Sequence, residues 1–149
     1  MENKEKTNKT ELVAVIRIAG QVKVRQDLKN SLKRFNLLKK YTCTLIDVNN
    51  KSQAGILKKV MYKVAYGKIK KETLIKLIEK RGQKINKEKI DSKKTAQELL
   101  NGKTLKQSGL KSFFRLHPPR KGINSKLQYP RGVLGDNKED INKLIERML

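Results

Sequence analysis

The residues of this sequence whose types and spacing could do chemistry are nearly all cationic. Arg25, Lys29 and Lys33 follow i, i+4, i+8, which places them on one stripe of a helix, with Lys23 and Arg34 close by. Asp27 is the only carboxylate in that stretch, whereas a face built for solubility normally mixes signs. Such a stripe can track a phosphate backbone. Lys58, Lys59 and Lys63 form a second group. The third is FFRLHPPRKG, residues 113–122, where Arg115 and His117 alternate with Phe114 and Leu116 and so share one face of an extended chain. Pro118-Pro119 holds the backbone extended, and Arg120-Lys121-Gly122 follows as a basic tip. Phe113 and Phe114 can stack on bases, although such a pair more often fills a satellite core. Arg17 stands inside an apolar run, which reads as an edge or surface-facing position of a one-sided sheet, or as an RNA contact on an open face.

Catalytic groupings are thin. Cys43 and His117 are the only Cys and His, so neither a disulfide within the chain nor a Cys- or His-rich metal cage can form. As a nucleophile–base pair they are a poor candidate, because Cys43 falls in an apolar strand and reads as a buried structural thiol. No glycine-rich phosphate cradle is present, and the carboxylates are scattered singly. The expectation is a protein with no catalytic residue, no metal, no cofactor and no small-molecule substrate.

The charge balance points to a polyanionic partner. Lys and Arg number 37 against 14 Asp and Glu, a formal net charge of +23 on 149 residues. That excess repels itself unless a polyanion neutralises it. It is not one tail. Residues 12–66 carry +10, 67–98 carry +6, and the acid-free stretch 99–135 carries +8. A membrane surface fits less well than nucleic acid, since Trp is absent and no run approaches the roughly 18 apolar residues of a span. The opening residues, MENKEKTNKTE, lack the apolar segment of a secretory signal, and the single cysteine suits a reducing, cytoplasmic setting.

The elements that must position these groups follow from periodicity. Leu12 to Ile18 is nearly all apolar and largely β-branched, which reads as a central strand. Leu28, Leu32 and Phe35 mark an amphipathic helix over 25–35. Thr42–Val48 is a second strand, Asn49-Asn50 a turn or cap, 52–61 a helix, and Tyr62–Ile69 a third strand. A helix over 71–81 stops at Gly82. Thr95 and Glu98 fit a capping box before a short helix at Leu99 and Leu100. Residues 102–135 hold five of nine glycines and all three prolines, with a strand predicted at Lys111–His117. Ile141, Leu144, Ile145 and Met148 make a last helix face. The organisation expected is a flexible 1–11, a β-α-β-α-β RNA-binding core at 12–69, and a C-terminal extension of helices and a basic loop at 70–149.

These residues resemble a known family. The run AVIRIAGQVKVRQDLKNSLKRFNLLKKYTCTLID, followed by NNKSQAGILKKVMYKVAYGKI, is similar to the universal large-ribosomal-subunit protein thirty, whose eukaryotic counterpart is large-subunit protein seven. KSFFRLHPPRKGI looks like the Phe-Arg-Leu-His-Pro-Pro signature of the longer archaeal and eukaryotic forms. The likeness covers about residues 12–149, and the length and lack of a basic N-terminal extension look archaeal. It implies an α+β fold whose core holds a three-stranded antiparallel sheet, a relative of the ferredoxin-like fold. It further implies a cytoplasmic, ribosome-bound structural protein of the large (50S) subunit. Its partners would be large-subunit rRNA, neighbouring ribosomal proteins and, as an open point, 5S rRNA. The competing readings are a non-ribosomal RNA- or DNA-binding module and an RNA-processing enzyme.

Overall fold

Five apolar residues in succession, Leu12 to Ile16, leave a strand no face to give to water, so it needs cover on both sides. In the computed structural model that cover is complete: every residue of the strand Leu12–Arg17 (β1) is buried. The structure describes residues 12–149 except 19, 21–23, 83–88, 90, 102–104, 106, 124–126, 128 and 130. After β1 come α1 (Gln26–Arg34), β2 (Thr42–Asp47), α2 (Lys51–Val60), β3 (Val64–Lys68), α3 (Lys71–Arg81), α4 (Ser92–Leu100), β4 (Phe114–Arg115), β5 (Gly135–Asp136) and α5 (Ile141–Met148). A single 3-10 turn, Lys138–Asp140, leads into α5.

The strands form one sheet in the order β4-β2-β1-β3-β5. The expected β-α-β-α-β start is present, with β1 antiparallel to both β2 and β3. The expected count of three strands is too low. β4 adds to β2 antiparallel and β5 adds to β3 parallel, which makes the sheet mixed. Both additions come from the C-terminal half of the chain.

Alternation along β1 divides the core in two. Val13 and Val15 pack with Leu32, Phe35, Leu57 and Val60 of the α1–α2 layer. Leu12, Ala14 and Ile16 pack with Leu74, Leu77 and Ile78 of α3, Leu99 of α4, and Ile141 and Ile145 of α5. The sheet is therefore covered on both faces, and the one-sided sheet expected around Arg17 is corrected. Each fully buried Leu, Ile or Val contributes about 1.5–3 kcal/mol of transfer free energy.

Local chemistry sets the element ends. The Asn50 side chain accepts a hydrogen bond from the Ser52 N–H and caps α2. α4 starts earlier than the Thr95–Glu98 box suggests. Asp91 is its cap, accepting from the Lys94 N–H at 3.3 Å, and Thr95 lies buried inside the helix. The strand expected at 111–117 shortens to two residues, because beyond Leu116 the chain turns from β2 to the end of α5 and Pro118 and Pro119 have no N–H to donate. Gly67 of β3 lets the turn before α5 approach closely. An added Cβ would meet the Lys138 carbonyl oxygen and lie 2.9 Å from the Ile141 side chain.

Two buried positions, Gly67 and Cys43, bear on stability. Gly67→Ala should destabilise by about 1–3 kcal/mol through overpacking, read by urea unfolding. Cys43 is fully buried between Ile16 and Phe114 on the neighbouring strands, and desolvation pushes its thiol up to about 12. It should resist thiol reagents in the native protein, and Cys43→Ala should cost about 1–2 kcal/mol. The folded state holds the proton that the unfolded thiol loses near 9, so stability falls as pH rises from 9 towards about 12. The Cys43→Ala variant should lack that part of the decline.

Candidate nucleic-acid interface

α1 and α2 lie side by side over one face of the sheet, so their outward residues form a common layer. Leu32 is buried, Leu28 half-buried, and Lys29, Lys33 and Arg34 are exposed on the far side. Lys33 and Arg34 sit in the last turn of α1, where cations oppose the negative end of the helix dipole. Arg25 occupies the cap position and pairs with Asp27 at 3.4 Å. Neither Lys29 nor Lys33 pairs with a carboxylate among the described residues. Lys58 and Lys59 are exposed in the last turn of α2, and Lys63 is half-buried in the turn that follows. The first two predicted groups thus share a layer, a relation that spacing alone could not show. Lys23 lies outside the described residues.

Between Lys59 and Lys63 stands Tyr62, 64% exposed and the one exposed aromatic ring among the described residues. Sequence reading passed over it as a strand residue. The available signal was its setting, seven lysines and no carboxylate between Asp47 and Glu72.

Arg17 is the clear correction. It is 3% exposed, and its Nη1 donates to the Leu37 carbonyl oxygen at 2.7 Å. Burial lowers its pKa through desolvation. It ties β1 to the chain after α1 and presents no guanidinium to a ligand.

The 113–122 segment splits by alternation. Phe114 is 1% exposed in the core, so it is not a stacking platform. Arg115 is exposed, with its guanidinium 5.7 Å from the centre of the half-buried Phe113 ring. The pairing of Arg115 with Thr42 puts it on the sheet face of Ile46, the face that α1 and α2 cover. Beyond Leu116 the chain is tied to the end of α5. The N–H groups of His117 and Arg120 donate to the carbonyls of Met148 and Arg147, each at 3.1 Å. In return, Arg147 Nε and Nη2 donate to the Arg120 carbonyl at 3.0 and 2.9 Å, and Nη2 also donates to that of Gly122. A turn closes from Pro119 to Gly122 at 3.0 Å with Lys121 at φ 65°, left-handed backbone that a lysine adopts only at some cost. His117 is half-buried at the root of this tip, and Arg120 and Lys121 are exposed on it.

Arg120, Lys121, Lys143, Glu146 and Arg147 line a concavity of about 390 Å³. Lys143 and Arg147, i and i+4 on α5, are cations that the sequence reading did not single out. Next to it the Tyr129 hydroxyl donates to the Asp140 carboxylate, which holds Tyr129 against the start of α5 and raises the Tyr129 pKa. Among the described residues, no group of three or more His, Cys, Asp or Glu side chains could hold a metal ion. No helix there is long and apolar enough to cross a membrane.

Arg147→Ala should free the tip. Amide exchange at Arg120 and Gly122 should rise at least tenfold, while β1 stays protected. Unchanged exchange at the tip would show that the backbone bonds to α5 hold it without the guanidinium.

No protein-family model matches the chain. Curated proteins do, along almost their whole length. The chain is 41% identical over 152 residues to the large ribosomal subunit protein uL30 of Archaeoglobus fulgidus, covering 92% of this chain and 99% of that one. It is 33% identical over 155 residues to that of Ignicoccus hospitalis, covering 93% and 98%. It is 36% identical over 159 residues to that of Desulfurococcus amylolyticus, covering 93% and 98%. With identities of 33% to 41% over more than nine-tenths of each chain, the chain belongs to the family of large ribosomal subunit protein uL30.

Proposed function

We propose that the chain is a structural constituent of the large ribosomal subunit, where it binds and stabilises large-subunit rRNA and adjoins other ribosomal proteins. The observation that carries this reading is the α1–α2 layer, whose Lys29, Lys33, Arg34, Lys58 and Lys59 are exposed together on a chain of net charge +23. Lysines on helix faces meet phosphates as point charges. Arg115, Arg120 and Lys121 are exposed on a tethered edge segment with His117 half-buried at its root, and the planar groups of the arginines and the histidine suit paired hydrogen bonds and stacking. Tyr62 adds a ring for an unpaired base. A contact with 5S rRNA is the partner that family membership leaves open, and titration with that RNA alone tests it.

The enzyme reading loses its one candidate pair, because the Cys43 thiol is buried. The reading as a non-ribosomal module is answered by sedimentation of the tagged protein in lysate. Comigration with large subunits is expected, and a free or differently sized complex would favour the module.

A salt series separates the two kinds of contact. Lys33→Ala should weaken binding to cognate and scrambled RNA alike and flatten the log–log salt slope by about one unit or less. Arg115→Ala should reduce discrimination between the two RNAs more than it reduces total affinity. Equal losses for both variants on both RNAs would make the edge segment only more charge.

A further inference from the structure

Gly55 sits in the middle of α2, at the fifth of its ten residues. After proline, glycine is the costliest residue a helix interior can hold. Glycine is kept at such a place when the backbone is left-handed or when something packs too close for a Cβ. Neither holds among the described residues. Gly55 has ordinary helical backbone, it is exposed, and a Cβ built on it would meet no atom within 4 Å. The contrast with Gly67, whose Cβ would strike the turn before α5, is direct.

What surrounds Gly55 suggests what comes close to it. On a helix surface its neighbours are i−4, i−3, i+3 and i+4. These are Lys51, Ser52, Lys58 and Lys59, all exposed. The bare patch of backbone is thus ringed by three ammonium groups and a hydroxyl, with no carboxylate. Tyr62 continues the same stripe beyond the helix end, at i+7 from Gly55.

We propose that Gly55 is the point at which the RNA sugar–phosphate backbone lies directly against α2, with Lys51, Lys58 and Lys59 reaching phosphates on either side. The inference rests on the reading that the α1–α2 layer meets RNA. It adds the place and closeness of approach. A side chain at 55 would lift the strand off the helix and lengthen all three lysine contacts at once. The position accordingly gives up helix stability for contact.

The test sets stability against binding in the full-length protein. Gly55→Ala should melt about 2–4 °C higher. It should also bind protein-free large-subunit rRNA at least tenfold more weakly, and Gly55→Leu should bind more weakly still. Higher melting with unchanged affinity would overturn the inference. Lower melting would also overturn it, since glycine would then serve the fold. Lys58→Ala/Lys59→Ala is measured alongside. If that pair loses affinity and the Gly55 variants do not, only the close approach is wrong. If neither loses affinity, the layer does not bind RNA and the proposed function loses its main surface.

Discussion

The double-sided burial of β1 is the constraint on which the rest of this structure depends. A strand of consecutive apolar residues forces a layer of helices onto each face, and each layer must then put its polar residues outward. Arg17, the one charge in β1, is held by a carbonyl instead of water. Among the described residues, most of the cationic side chains are left for the outer helix faces, the sheet edges and the turns. A +23 surface would raise the free energy of a compact chain, and the paired cores are what offset it. Bound polyanion removes the repulsion.

Legibility followed from period length. β1, α1, β2, α2, β3 and α3 each run five residues or more with a clear repeat, and sequence reading located each to within one or two residues. β4 and β5 are only two residues long: β4 lies inside the longer strand expected at 111–117, and β5 carries no period from which it could be read. The start of α4 was missed because Asp91, the acceptor that caps it, lies outside the box motif. Arg17 is the exception because the carbonyl that satisfies its buried guanidinium belongs to Leu37, twenty residues away, and no local pattern shows that partner.

The surface was less legible than the fold. Charge density identified the segments, but not which of them lie together. That α1 and α2 share a layer, and that Arg115 points to the same sheet face, come from register and packing. Lys143 and Arg147 belong to a cationic concavity formed only when the end of α5 meets the 117–122 segment. The same contact holds the basic tip in place within the free chain. A segment of glycine, proline and positive charge is by composition a loop, and only the pairing to Arg147 and Met148 shows it tethered.

The central claim is that the α1–α2 layer and the tethered 113–122 edge face rRNA in the assembled subunit. Ultraviolet crosslinking of purified large subunits, with the crosslinked peptides of this chain identified by mass spectrometry, tests it most directly. The account predicts RNA adducts on peptides from α1, from the end of α2 through Tyr62, and from 113–122. Adducts confined to the mixed-charge residues 136–149, with none on these three segments, would contradict it.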